Sequence, residues 1–323
     1  MKALLYESSQ NLRFCEQPNS IADNDNTLID VNAVGICGSD MHAYLGHDER
    51  RPPPLILGHE AAGMLPSGAR VTVNPLVVCE TCDYCRAGRS NLCLQRQIIS
   101  MPPRAGAFAE QLAIPPQNIV PLPNSLSLQQ GSLAEPLACG HHTAGLGVVH
   151  SRRSLAECQT AVLGGGAIGL ASALSLTARG AKEVWIADNN PRRRKALEKT
   201  GNFHIVTPEA LPTAMDVVID AVGHEQTRRQ ASTITAPGGV VVHIGLASAD
   251  GGFDMRRLTL QEIVLVGSYT YTMTEFKETV EWMGKGKLGA LDWFETRPLS
   301  DGARAFADLL AGNVAAPKIV LIP

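Results

Sequence analysis

Four cysteines lie close together, as Cys79-x2-Cys82-x2-Cys85-x7-Cys93. Thiolates three residues apart wrap readily around one small ion. Four of them at about 2.3 Å is the ordinary shell of a structural Zn²⁺. The residues between them, including Glu80, Thr81, Asp83, Arg86, Gly88 and Arg89, are polar. Such a loop has no apolar interior, so a metal must hold it together. Four protein ligands leave no open position, which points to a structural site. Nothing nearby suggests a thioredoxin-type unit, so a redox Cys-x-x-Cys is the weaker reading.

A second constellation is scattered. Cys37 sits in Val34-Gly35-Ile36-Cys37-Gly38-Ser39-Asp40-Met41-His42, His59 and Glu60 in Leu57-Gly58-His59-Glu60, and Glu135 in Leu133-Ala134-Glu135-Pro136-Leu137. Taken singly, a core thiol, a turn and a helix start explain them. Taken together, a thiolate, an imidazole and one or two carboxylates suit a Zn²⁺ ion with a place left for water or substrate.

These groups need elements to position them, and the middle of the chain is the clearest. Thr160-Ala161-Val162-Leu163 reads as a buried strand and Leu170 to Arg179 as a helix ending at Gly180. Between them lies Gly164-Gly165-Gly166-Ala167-Ile168-Gly169, a G-x-G-x-x-G hexamer with Gly164, Gly166 and Gly169 in the required places. The first glycine permits the tight turn, the second lets backbone approach a pyrophosphate, and the third allows close helix–strand packing. Amides at the helix start, Ala167 and Ile168, would point at the anion. A second strand, Glu183-Val184-Trp185-Ile186-Ala187, ends at Asp188, 24 residues after Gly164. A carboxylate there accepts hydrogen bonds from ribose hydroxyls and repels a 2′-phosphate, which favours NAD over NADP. Arg192, Arg193 and Arg194 argue the other way, or form the solvated first turn of a helix from Pro191 to Thr200.

Further strands follow at Met215 to Asp220, Gly238 to Gly245 and Glu262 to Tyr269. Strand and helix in alternation imply a doubly wound parallel sheet. Gly223 and Gly245 fall at strand C-termini, where a cofactor passes or where a turn needs glycine.

The 323 residues are enough for about two domains. A hydrophobic fraction of 45% and a charged fraction of 18% are globular values. The net charge of −3 argues against nucleic acid or an anionic membrane as partner. No apolar run approaches the ~20 residues of a membrane span. The start of the chain lacks the apolar core of a secretory signal, so a cytoplasmic location is expected, and disulfides are not.

The chain resembles the zinc-dependent medium-chain alcohol dehydrogenases, in the polyol branch with sorbitol, L-idonate and galactitol-phosphate dehydrogenases. The resemblance rests on the segments around Cys37, His59 and Glu135, the four-cysteine lobe, Gly106-Ala107-Phe108-Ala109-Glu110, the glycine hexamer and Asp188. It implies an α/β protein: a GroES-like, β-rich catalytic domain (1–138 and 270–323, with the zinc lobe at 79–93) around a Rossmann coenzyme domain (139–269). It implies two Zn²⁺ per chain, NAD, a small hydroxyl substrate, and a homodimer or homotetramer. Cys37 and His59 match the catalytic zinc ligands. Glu60 matches the carboxylate that binds the metal in the polyol branch. Glu135 stands where ethanol-type enzymes have a third Cys, and in polyol relatives it touches the metal or its water. Ser39 and His42 match the positions that pass the substrate proton to solvent. The implied reaction turns a secondary hydroxyl into a ketone.

The sequence departs from the family at three points. The segment 63–71 is short, so a hairpin there should be trimmed. Thr270 replaces an Arg that polyol relatives often carry, which weakens a sugar-alcohol assignment. The chain is also at the short end for the family. Tyr44, Ile99, Phe108 and Tyr271 are candidate pocket residues. Arg50, Arg51 and Arg104 are either contacts for a substrate anion or solvated loop cations.

Overall fold

In the strand Thr27–Gly35, Ile29, Val31 and Ala33 are buried while Asp30 between them faces solvent, the period of two expected of a half-buried strand. Its last residues, Ala33, Val34 and Gly35, are buried on both faces. This strand is central to a mixed sheet in the computed structural model, which describes residues 1–23 and 25–323.

Two units separate by contact. The first comprises Met1–Glu135, Thr272–Lys285 and Phe294–Pro323. Its largest sheet runs in the order Ile119–Pro121, Arg70–Val73, Glu60–Met64, Thr27–Gly35, Lys318–Ile322 and Phe294–Pro298, with Gln111–Ile114 also paired to Thr27–Gly35. The register sets Gly35 opposite Glu60 on one side and opposite Val320 on the other. Glu60–Met64 and Arg70–Val73 form a hairpin closed by a short turn, with Leu65 N–H donating to Ala69 O at 2.9 Å. The segment 63–71 spans this turn.

The core of the first unit includes Leu4, Ile29, Leu57, Phe108, Phe306 and Leu321. Phe108 and Phe306 meet edge to face at 5.9 Å. Large side chains buried in this way contribute about 1.5–3 kcal/mol each. A Cβ on Gly58, whose φ is +90°, would lie 2.5 Å from the Phe108 ring. Only glycine lets the chain pass that ring immediately before His59.

The second unit comprises Pro136–Tyr271 and Gly286–Trp293. Its six strands are parallel, in the order His204–Val206, Glu183–Ala187, Gln159–Leu163, Met215–Asp220, Thr235–His243 and Val264–Gly267. The order reverses beside Gln159–Leu163, where doubly wound sheets open their ligand crevice. The return of Gly286–Trp293 to this unit has no signal in the sequence. Boundaries also move. The helix starts at Ala167 because Gly166 caps it and Gly169 lies within it. The last strand is confined to Val264–Gly267, because Glu262 and Thr270 have positive φ on either side. The helix after Asp188 ends at Leu197.

Candidate metal centres and dinucleotide site

Cys37 caps the short helix Gly38–Tyr44, and His59 and Glu60 lie at the start of the strand Glu60–Met64. One donor atom from each of Cys37, His59 and Glu60 falls within 4.8 Å of the others. Tetrahedral zinc with bonds of about 2.0–2.3 Å needs donors roughly 3.3–3.8 Å apart, so small side-chain adjustments bring this set onto one ion. One oxygen of Glu60, Oε2, is buried with no hydrogen-bond partner. A buried, unpaired carboxylate oxygen is costly unless a ligand takes it. The donor chemistry and the orphaned oxygen both fit a zinc ion.

Asp40, fully buried, was not among the site residues expected from sequence. Its Oδ2 accepts from Cys37 N–H at 3.0 Å and its Oδ1 from Gly58 N–H at 3.2 Å. Nδ1 of His59 lies 3.5 Å from Asp40 Oδ1 and 3.4 Å from Ser100 Oγ. Burial pushes the Asp40 carboxyl up, but His59, Arg51 and the Cys37 N–H outweigh it and hold it low. A carboxylate on one ring nitrogen orients an imidazole and leaves the other nitrogen for a metal. The signal was present: an acid three residues into a helix returns to cap its start.

Ser39 and His42 are three apart on the Gly38–Tyr44 helix and so share a face. Both are half-buried. Burial and the neighbouring His47 lower the His42 pKa, which keeps the ring neutral near pH 7. Glu135, only 6% exposed, lies in the first turn of Ala134–His150. Burial pushes the Lys318 ammonium down, but Glu60, Cys37 and, last, the charge of Glu135 outweigh it and raise its pKa. Glu135 lies outside the compact three-donor set.

The arginines have protein partners. Arg51 is buried and donates to Asp48 Oδ2 and Ser100 O. Arg50 also binds Asp48, and Arg104 binds Gln97 and Asn26. Tyr44, Ile99, Phe108 and Tyr271 are buried.

The four-cysteine lobe closes on itself. Sulfur separations are 3.5 Å for Cys82–Cys85, 3.5 Å for Cys79–Cys93 and 4.0 Å for Cys79–Cys85. A tetrahedron with zinc–sulfur bonds of 2.3 Å has edges of about 3.8 Å, whereas a disulfide needs about 2.05 Å. Backbone N–H groups of Thr81 and Cys82 pull the Cys79 thiol down to about 6, while lost hydration and the neighbouring thiols push Cys85 up to about 12. A divalent cation held there would bring all four to the thiolate form together. Among the described residues, these two groups are the only ones of three or more donors so arranged.

In the second unit the glycine hexamer links strand and helix. A Cβ at Gly169 would stand 1.8 Å from Gly164 O, and Gly164 has a φ of +95°. Packing alone requires both. At Gly166 the nearest atom to a Cβ would be Arg193 Nη1 at 3.5 Å. Nothing in the chain demands glycine there, whereas the close approach of a pyrophosphate would. Asp188 accepts from Gly165 N–H at 2.8 Å and from Asn190 N–H at 2.7 Å. Arg194 donates to Asp188 O. Gly223 and Gly245 pack backbone on backbone, a Cβ on Gly245 falling 2.1 Å from Gly223 N. That contact by itself accounts for glycine at both positions.

Beside them Asp220 accepts from Val222 N–H, Gly223 N–H and His243 Nδ1 at 2.9–3.1 Å. Burial pushes its carboxyl up, but the His243 bond and the two N–H groups outweigh it and lower its pKa. A depressed folded pKa stabilises above the unfolded value of about 3.9 and is lost as pH falls through the folded one. Asp220→Asn should therefore destabilise by about 1–3 kcal/mol near neutrality. Thermal melts should show that deficit at pH 7 and a shrinking one below about pH 4. A deficit that stays constant into acid would contradict this.

Comparison with known proteins agrees with this architecture. Residues 23–124 match the alcohol dehydrogenase GroES-like domain, and residues 167–285 the zinc-binding dehydrogenase family. L-galactonate-5-dehydrogenase of Escherichia coli (strain K12) is 30% identical over 88% of this chain and 90% of its own. Sorbitol dehydrogenase of Bacillus subtilis (strain 168) is 30% identical over 88% and 86%. The crystal structure of a putative zinc-binding dehydrogenase from Sinorhizobium meliloti 1021, bound to NADP, is 28% identical. It covers 100% of this chain and 99% of its own, with a TM-score of 0.86. This chain belongs to the zinc-dependent medium-chain alcohol dehydrogenase family, in its polyol branch. It is a dehydrogenase built from a GroES-like and a Rossmann-type domain.

Proposed function

We propose that this chain oxidises a secondary hydroxyl of a polyol or sugar acid to a ketone, with NAD as oxidant and two Zn²⁺ per chain, one catalytic and one structural. The observation that carries this reading is the donor set of Cys37, His59 and Glu60 with its orphaned, buried carboxylate oxygen. When bound, zinc makes a substrate hydroxyl more acidic and the nicotinamide takes up a hydride. The chain's own work is placement and proton transfer. Cys37, His59 and Glu60 hold the metal, and Asp40 orients His59. Ser39 accepts a hydrogen bond from the substrate hydroxyl and gives up its own proton as it takes the substrate's, and His42, neutral near pH 7, relays that proton outward. Glu135 is assigned to the metal's water, since the three closer donors leave a fourth position open. The four cysteines hold the structural zinc.

For the dinucleotide, Gly164, Gly166 and Gly169 with the amides of Ala167 and Ile168 take the pyrophosphate. Asp188 takes the ribose, and Gly223 and Gly245 border the cofactor's path. A catalytic domain of residues 1–138 and 270–323 around a coenzyme domain of 139–269, assembled as a homodimer or homotetramer, completes the proposal.

One observation favours NADP instead. Arg193 reaches over Gly166 and Arg194 binds the backbone of Asp188, so two cations flank the adenosine end. The sugar-acid relative above favours an acidic substrate, and Thr270 in place of Arg weakens a sugar-alcohol assignment without itself supplying a contact for an anion.

The test is a panel of free polyols, phosphorylated polyols, sugar acids and simple secondary alcohols, each with NAD and with NADP, followed at 340 nm. Turnover of a sugar acid or polyol with NAD preferred at least tenfold is expected. Preference for NADP overturns the Asp188 argument, and turnover of simple alcohols alone overturns the substrate class.

A further inference from the structure

We propose that Lys318, in a strand 258 residues from Glu60 in sequence, is a positioning residue for the catalytic metal centre: its ammonium fixes one oxygen of Glu60 so that only the other is offered to the ion. The inference rests on Cys37, His59 and Glu60 holding zinc.

Three observations carry it. Lys318 Nζ donates to Glu60 Oε1 at 2.6 Å and to Ile36 O at 2.8 Å, with both side chains no more than 3% exposed. Oε2 of the same carboxylate is buried and unpartnered. The carboxylate lies in a cradle left by Gly35, where a Cβ would fall 2.0 Å from Oε2. The register of the three strands explains the arrangement, since Gly35 is paired to Glu60 on one side and to the Lys318–Ile322 strand on the other.

A buried ion pair is a poor source of stability, and apolar residues of equal size often replace one without loss. A pair kept only for packing would also have no reason to leave Oε2 without a donor. Splitting the carboxylate between an ammonium and a metal accounts for both facts. It also makes Glu60 a one-oxygen ligand.

The test reads metal binding in the full-length holoenzyme. Wild type should keep two zinc ions per chain through dialysis against a mild chelator. Lys318→Met should keep one, with zinc affinity at the weaker site reduced about 10–100-fold, as for other residues that orient metal ligands. Lys318→Arg should restore most of the affinity but shift the visible bands of the Co²⁺-substituted protein, because a planar fork holds the carboxylate differently. In a Glu60→Gln background, Lys318→Met should add no further loss.

Wild-type zinc retention and an unchanged Co²⁺ spectrum in Lys318→Met overturn the proposal, and so does a full additional loss in the double variant. If Lys318→Met does not fold, a Co²⁺ spectrum of Lys318→Arg superposable on wild type overturns it and a shifted one supports it. Cys37→Ser separates the two levels. If it too retains both ions, the metal-centre reading fails and this inference with it. If it loses one while Lys318→Met loses none, only the inference fails.

Discussion

Replacing Cys37 with Ser should lower kcat/KM by about three orders of magnitude or more and leave dinucleotide binding unchanged. Cys37 supplies the only sulfur in a donor set of three, and a hydroxyl in its place is a far weaker zinc ligand. Zinc as a Lewis acid contributes several kcal/mol to the transition state, and each ~1.4 kcal/mol lost is tenfold in rate. Dinucleotide affinity should hold because the glycine hexamer and Asp188 belong to the other unit. Steady-state kinetics with the substrate found in the panel, a fluorescence titration with dinucleotide and a zinc assay check the three parts. A zinc-depleted Cys37→Ser protein that turns over at the wild-type rate would remove the metal centre from the mechanism.

A second large effect is expected in the glycine hexamer, where two neighbouring glycines should behave differently. Gly169→Ala puts a methyl group 1.8 Å from Gly164 O and 2.9 Å from its carbonyl carbon. Both are backbone atoms of a tight turn and cannot rotate aside. Overpacking a core costs about 1–3 kcal/mol when side chains can give, so about 3 kcal/mol or more is expected here. At roughly 2–4 °C per kcal/mol, the melting temperature should fall by about 6 °C or more. Gly166→Ala meets nothing closer than an arginine tip at 3.5 Å. It should leave the melting temperature almost unchanged and weaken dinucleotide binding about tenfold. Melts of both variants with and without dinucleotide distinguish the roles. Equal melting temperatures would show that the helix start adjusts more freely than the backbone contact implies.

Contiguous chemistry was the most legible part of this chain. The four-cysteine lobe and the strand–glycine–helix unit announce themselves because the residues that cooperate are neighbours in sequence. Glu183–Ala187 and Met215–Asp220 have the predicted bounds because their apolar runs are buried, Trp185 alone being half-buried. Element ends were less legible. Glu262 and Thr270 adopt positive φ without being glycine, so no residue type marks where the last strand stops. Long-range partners were least legible. Asp40 lies three residues from Cys37, yet its link to His59 needs the Leu57–Gly58 backbone to pass the Phe108 ring. Lys318 reads as a lone charge in the run Lys318–Ile322, where the other residues are apolar. A lysine at a core position is rarely left unpaired, so a partner was to be expected, but nothing in the sequence says which.

The sheet that carries Glu60 is completed by a strand whose contact with Ile36 spans 282 residues, whereas the parallel sheet draws all its strands from one uninterrupted stretch, Pro136–Tyr271. Pairings between distant segments form slowly, because loop-closure entropy is lost before the contact gives anything back. The inner stretch should therefore acquire its structure first and shorten the tether between the outer segments. Refolding from denaturant should show two kinetic phases. The earlier should follow the emergence of nucleotide affinity, and the later one the uptake of the metal at Cys37.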